Sequence, residues 1–192
     1  MQAPFWKAGG QARRDLLDDA AAIADACVAL GIMLIVVPLV DNGSIANQVQ
    51  TDVLRDGLER ILVPRRGLRV AFESDFAAES LARFIEDFPV DRYGINYDIG
   101  NSAALGFSPA RELAAYSARI INVHVKDRLF SGTTVPLGTG AADLAGAIRG
   151  LEQGSYRGVY ILQTARASDG DDVGAARRYR DMAKNWISEA MR

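Results

Sequence analysis

The chain has 192 residues, a mass of 20.7 kDa, a net charge of −2 and a pI near 5.5. This length suits one domain, 1–192, built around one core. Hydrophobic residues make up 49% and charged residues 24%, with a mean hydropathy of +0.01, which excludes a disordered chain. The charge provides no basic field for nucleic acid or an anionic membrane, so a small-molecule ligand is expected.

The sequence contains no segment that predicts a membrane partner. Its longest apolar run, 31–40, is shorter than the roughly 20 residues that span a bilayer. The amino terminus lacks a basic segment leading into an apolar signal core. We therefore expect a cytoplasmic protein. The single cysteine, Cys27, excludes an internal disulfide.

Short apolar runs alternate with amphipathic stretches of helical length, a pattern typical of parallel α/β proteins. In chain order the predicted elements are a helix at 11–30, a strand at 33–39, a helix at 45–62, a strand at 68–73, a helix at 76–87, a strand at 93–98, a helix at 109–117, a strand at 119–125, a helix at 141–152, a strand at 159–163 and a helix at 172–191. The strands are continuous apolar runs, which indicates that both faces of the sheet are covered.

Ligand-capable side chains stand at the carboxyl ends of four successive predicted strands: Glu73, Asp98, His124 and Gln163. In parallel sheets and barrels ligands bind at these ends, so we expect the four side chains to converge. Two carboxylates, an imidazole and an amide oxygen suit a divalent metal ion, Mn²⁺ first, with Mg²⁺, Co²⁺ or Zn²⁺ as alternatives. Each residue alone is more often a capped or solvated group, and only their matching positions favour a metal site.

Five segments give the sequence a family resemblance: VAFES, INYDIGNS, NVHVKD, PLGTGAADL and GVYILQ. In this order and spacing the chain, from about residue 11 to 190, resembles the sugar phosphate isomerase/epimerase family of xylose isomerase-like TIM barrels. The resemblance implies a (β/α)8 fold and a metal held by Glu, Asp, His and a second Glu. Residue by residue, these ligands fall on Glu73, Asp98, His124 and Gln163.

The resemblance also implies a reaction. Family members isomerise or epimerise a sugar or sugar phosphate by proton transfer through a metal-bound enediolate, which puts Glu73 and Gln163 at the catalytic positions. The glutamine departs from the family pattern, because an amide can bind metal through its oxygen but cannot act as a base. Two-base epimerisation thus lacks its second base. A one-base aldose–ketose isomerisation by Glu73, or dehydration of a polyol-derived ketone, remains open.

Length is the second departure. A (β/α)8 barrel takes about 250 residues, and this chain carries only five and a half βα units. We therefore expect a partial barrel that contains the last five βα units and lacks the first three strands. The alternative function is a catalytically impaired barrel fragment that binds sugar or self-associates without turnover. An open edge strand predicts a homo-oligomer in either case.

Other polar residues near the strand ends are candidates for binding the substrate: Asp41, Asn101, Lys126, Arg128 and Arg166. Lys126 and Arg128 could equally form contacts that fix their loop, and Asp41 could cap the following helix. The Gly-rich segment 131–140 offers backbone N–H groups to a phosphate. Cleavage of abasic DNA, a second activity of this superfamily, uses a histidine-rich metal cluster, and the single histidine argues against it.

Overall fold

Helices and strands alternate along the chain in the computed structural model, which describes residues 4–192. The helices are α1 (Gly10–Ala29), α2 (Gln48–Leu62), α3 (Ala78–Glu86), α4 (Ile99–Ala104), α5 (Pro109–Tyr116), α6 (Leu144–Gln153) and α7 (Asp172–Ala190). The strands are β1 (Leu34–Leu39), β2 (Arg69–Ser74), β3 (Tyr93–Asp98), β4 (Ile120–Val125), β5 (Asp127–Arg128), β6 (Thr134–Val135) and β7 (Tyr160–Leu162).

Five strands form one sheet in the order β1-β2-β3-β4-β7, while β5 and β6 form a separate antiparallel pair. The pairs β1 with β2, β3 with β4 and β4 with β7 are parallel. Their registers match Pro38 with Glu73, Asp98 with His124, and Val125 with Leu162. The α/β class with a parallel sheet, predicted from the apolar runs, is confirmed.

The chain divides into two compact units, and the first runs up to Ser74 and includes Asp87–Gly94. In this unit Arg65 joins α2 to α1, because its guanidinium contacts Asp25 at 2.6 Å. Phe72, Phe88 and Tyr93 form an aromatic cluster with ring centroids 4.9 to 5.9 Å apart. Their burial, together with that of several leucines of α2, forms the core of the unit.

The second unit comprises Asp75–Glu86 and Ile95–Arg192. Its core contains Ile148 and Leu151 of α6, which are fully buried, and Leu113 of α5. Gly150 lets α5 approach α6 closely, since a side chain there would begin 2.5 Å from the Leu113 Cδ1 atom. This unit holds the carboxyl ends of β3, β4 and β7, where three of the four predicted metal ligands follow.

The structure corrects several predicted boundaries. Helix α2 begins at Gln48, where Asn47 caps it by accepting the backbone N–H of Gln50 at 3.1 Å. The idea that Asp41 caps this helix is therefore wrong; Asp41 lies in a 3-10 turn with φ +50°. Helix α4 and the β5–β6 hairpin were not predicted, because elements of six and two residues are too short to show a period.

A buried carboxylate stands between β3 and α5. Glu112 is 2% exposed, and its Oε1 atom accepts hydrogen bonds from the Ser102 and Tyr116 hydroxyls, both at 2.8 Å. Its Oε2 atom accepts one from the Tyr97 hydroxyl at 3.2 Å. Burial raises the pKa of Glu112 and the three hydroxyls lower it, with burial the stronger effect.

We expect Glu112 to make the protein more stable at mildly acidic pH. A carboxyl group whose pKa is higher in the folded state than in the unfolded chain takes up its proton first in the folded state. Its contribution to the free energy of unfolding therefore rises as the pH falls from about 7 to about 5, and is lost again as the pH rises. Urea unfolding of the wild type and Glu112→Gln at both pH values measures this contribution. An equal pH dependence in the two proteins would contradict it.

Candidate functional site

Asp98 ends β3 and His124 is the penultimate residue of β4, and the two are register partners. The Asp98 Oδ2 atom lies 3.5 Å from the His124 Nδ1 atom. Both residues are buried, with Asp98 only 3% exposed. The predicted approach of these two side chains is thus present, and the parallel register explains it, because matched residues of adjacent strands point to the same face.

The two oxygens of Asp98 have different partners. Oδ1 accepts the backbone N–H of Asn101 at 2.8 Å and caps α4, whereas Oδ2 lies 2.8 Å from the Lys126 ammonium. Burial alone would raise the pKa of Asp98, but the contact with His124, the charge of Lys126 and the Asn101 N–H outweigh it, and the pKa is lowered. Asp98 is therefore held as a carboxylate, the form that binds cations.

Two buried asparagines extend this polar row towards the start of the strands. The Asn96 Nδ2 atom lies 3.1 Å from the His124 Nδ1 atom, and Asn122 donates to the Asn96 Oδ1 atom at 2.7 Å. The sequence analysis missed both residues. They stand two positions before Asp98 and His124, so the period of two along each strand puts them on the same face and would have identified them.

The other two predicted ligands follow strand ends as expected. Glu73 is the penultimate residue of β2, in the first unit. Gln163 directly follows β7, donates its backbone N–H to the Val125 carbonyl at 3.1 Å and has an exposed side chain. Since Val125 is matched with Leu162, the register brings Gln163 beside Lys126. A shared coordination sphere for all four residues stays a prediction.

The predicted substrate-binding residues differ in their surroundings. Arg128 donates to the Asn101 Oδ1 atom at 2.8 Å and to the Gly132 carbonyl at 2.6 Å, so it fixes its own loop. Lys126 pairs with Asp98, as described above. Arg166 is on the surface, with its side chain 92% exposed and 3.4 Å from Asp172. Asp41 is also exposed.

The Gly-rich segment 131–140 is tied to Asp127, which is fully buried. The Asp127 Oδ2 atom accepts the N–H groups of Gly138 and Gly140 at 2.9 and 2.8 Å, and its Oδ1 atom accepts that of Ala142 at 3.1 Å. These are donors that the sequence analysis offered to a phosphate. The structure corrects this expectation, because Asp127 already uses them.

The donor set fits a divalent cation. Carboxylate oxygens and an imidazole nitrogen are ligands that Mn²⁺, Zn²⁺ and related ions accept. The buried Asp98 Oδ2 atom has no hydrogen bond within residues 4–192, so its lone pairs are directed at cations alone. Asp98 and His124 are thus suited to hold such an ion.

Comparison with known proteins agrees with this fold and site. Residues 3–189 match the family described as "Xylose isomerase-like TIM barrel", and the chain belongs to that family. The resemblance seen in the five sequence segments is thereby confirmed. No helix within residues 4–192 is long and apolar enough to cross a membrane.

A curated relative is L-ribulose-5-phosphate 3-epimerase UlaE of Escherichia coli, 33% identical over 95 residues. This match covers 48% of the present chain and 33% of the epimerase, so the chain matches about a third of its relative. A xylose isomerase domain protein from Planctomyces limnophilus has a TM-score of 0.79 at 18% identity, over 98% of this chain and 71% of its own. The IolI protein "with a binding zinc atom" has a TM-score of 0.80 at 17% identity, over 98% and 74%.

Proposed function

We propose that the protein is a divalent-metal-dependent isomerase or epimerase that acts on a sugar or a sugar phosphate. One observation carries the proposal: a ligand atom from each of Glu73, Asp98 and His124 lies within 4.8 Å of the others. Such a spacing lets three ligands share one ion of about 2.0–2.3 Å ligand distance. The name of the related epimerase supports a sugar phosphate as substrate.

Glu73, Asp98 and His124 hold the metal in this proposal, with the Gln163 amide oxygen as the fourth ligand. Mn²⁺ is the preferred ion, and Mg²⁺, Co²⁺ or Zn²⁺ would suit the same donors. The relative with a bound zinc supports a metal at this end of the fold. When bound, the ion polarises the carbonyl and hydroxyl oxygens of the sugar and makes the neighbouring C–H bond more acidic.

Glu73 moves the proton. Its carboxylate takes a proton from the carbon beside the sugar carbonyl and returns it to the neighbouring carbon on the same face. A second carboxylate on the opposite face would be needed to invert a centre in the two-base manner. Gln163 stands in the place of that group and cannot accept a proton. The residues therefore favour a one-base aldose–ketose isomerisation over a two-base epimerisation.

Hydrogen exchange with the solvent tests the shared step of both reactions. Aldoses, ketoses and their phosphates would be incubated in D₂O with the protein and Mn²⁺, and deuterium at the carbons beside the carbonyl would be followed by NMR. We expect exchange with at least one sugar, and none with Glu73→Gln, which keeps a metal-binding oxygen but loses the base. Equal exchange with both proteins would overturn the role of Glu73.

A second candidate function is sugar binding without turnover. The observation that favours it is the exposed amide of Gln163 at the position where relatives of this family carry a base. The same samples distinguish the two functions. Sugar binding seen by calorimetry, with no deuterium in any sugar, would support the binding protein and reject the enzyme.

Gln163→Glu is expected to tighten Mn²⁺ binding by about tenfold, because a charged ligand replaces a neutral one beside the ion. It should also raise epimerisation of ketoses by supplying the second base. Calorimetry measures the first effect and chiral separation of the products measures the second. Gln153→Glu, on α6, adds the same charge away from the strand ends and serves as the control. Robust epimerisation by the wild type would show that another residue, such as Asp41, supplies the base.

Substrate binding is proposed for five residues near the strand ends: Asp41, Asn101, Lys126, Arg128 and Arg166. The mutual hydrogen bond of Asn101 and Arg128 supports a prepared polar surface beside Asp98. The exposure of Arg166 leaves its guanidinium accessible to a phosphate group. Single alanine variants should raise KM more than they lower kcat if these residues bind the ground state.

The chain is further proposed to be one domain that carries the last five βα units of an eightfold barrel. Its sheet has five strands in chain order, and it matches 71% of a structural relative. Strand β1 then lies at an edge of the sheet, where its free backbone groups favour association with another copy. Light scattering at micromolar concentration should show an oligomer. A stable monomer would reject the association.

A further inference from the structure

Asp98 has only one oxygen to offer to a metal. Its Oδ1 atom is occupied by the Asn101 N–H, which it accepts at 2.8 Å to cap α4. Its Oδ2 atom faces the His124 Nδ1 atom at 3.5 Å and is buried without a hydrogen bond within the described chain. An ion held by Asp98 and His124 must therefore bind Oδ2.

Lys126 directs its charge at this same oxygen. Its Nζ atom lies 2.8 Å from Oδ2, and the lysine is itself only 9% exposed. The stem of the side chain is packed against α4, because a Cβ atom at Gly100 would begin 2.8 Å from the Lys126 Cγ atom. Packing thus holds the ammonium close to the oxygen, unlike a lysine that extends freely into water.

We propose that Lys126 competes with the divalent cation for the Oδ2 atom of Asp98 and so limits the metal affinity of the site. The inference rests on the proposed metal site and adds a residue that opposes it. It differs from the two roles expected from the sequence, in which Lys126 either binds the substrate or fixes its loop.

The sign of the effect follows from electrostatics. The ammonium must leave Oδ2 when the ion binds, which breaks a buried ion pair, or it stays and repels the ion at short range. Both alternatives weaken metal binding, and both are strong because buried charges are poorly screened. If Lys126 instead only held Asp98 in place, its removal would misplace a ligand and weaken metal binding. The two roles therefore predict opposite results.

Calorimetric titration of the full chain with Mn²⁺ tests the proposal. We expect Lys126→Met, which keeps the packed stem and removes the charge, to bind Mn²⁺ about tenfold or more tightly than the wild type. Lys126→Arg keeps the charge and should not bind more tightly. Lys184→Met removes the same charge from an exposed position of α7 and should leave the affinity unchanged.

Thermal unfolding gives a second readout that does not need high metal affinity. Lys126→Met leaves the Asp98 carboxylate buried without its cation, so the variant should melt below the wild type when no metal is added. Saturating Mn²⁺ should raise its midpoint by more than that of the wild type. Lys126→Gln, which retains a donor for Oδ2, provides a milder variant should Lys126→Met fail to fold.

The outcomes separate this inference from the proposed function. Tighter binding by Lys126→Met or Lys126→Gln, or binding by these variants alone, supports the competition. Mn²⁺ binding by the wild type with equal or weaker binding by the neutral variants overturns it and leaves the metal site standing. Failure of the wild type and of both neutral variants to bind Mn²⁺ overturns the metal site itself.

Discussion

Asp98→Asn is expected to lower the affinity for Mn²⁺ by about two orders of magnitude or more, since even outer-shell changes around a metal cost 10–100-fold. The structure gives the reason. Oδ2 is the one oxygen of Asp98 that faces His124, and an amide nitrogen or a neutral oxygen there cannot balance the charge of the ion. Calorimetry measures the loss, and Asp19→Asn on the exposed side of α1 is the matched control.

The same variant is expected to unfold more easily, because it leaves the buried Lys126 ammonium without its carboxylate. Breaking a buried ion pair by removing one partner costs about 3 kcal/mol or more. The double variant Asp98→Asn with Lys126→Met removes both charges and should recover much of this stability without recovering Mn²⁺ binding. Recovery of metal binding by the double variant would contradict the assignment of Asp98 as a ligand.

Asp127→Ala is expected to lower the free energy of unfolding by about 3 kcal/mol, because it removes three hydrogen bonds to a buried carboxylate and leaves their N–H donors unpaired. The donors belong to Gly138, Gly140 and Ala142, so one side chain orders the whole segment 131–140. Gly140 has no side chain where a Cβ atom would clash with Asp127. Gly140→Ala should therefore weaken the same arrangement.

Urea unfolding measures the loss of stability, and limited proteolysis reports whether the segment becomes accessible. The control is Asp143→Ala, which removes a single N-cap hydrogen bond to Gly146 from α6 and should cost about 1 kcal/mol. Similar losses for the two variants, with no new cleavage between residues 131 and 140, would show that Asp127 does not order this segment.

The sequence by itself determined the α/β class, the position of every strand in the main sheet and the family. Continuous apolar runs alternate with helical periods, and that local pattern is enough to predict parallel strands covered by helices. It also identified Asp98 and His124 as neighbours, because residues at the ends of adjacent parallel strands share an edge. The pattern could not predict α4 or the β5–β6 hairpin, whose elements are shorter than one period of either structure.

Only the tertiary structure decided what the polar side chains contact. Lys126 and Asp98 are 28 positions apart, and their pairing depends on the register of β3 with β4 and on the close packing at Gly100. Asp127 holds the backbone of residues 11 to 15 positions further along, which no local spacing indicates. Periodicity reports which face a residue occupies, whereas the partner of a buried charge is set by distances between separate elements. Those distances exist only in the folded chain.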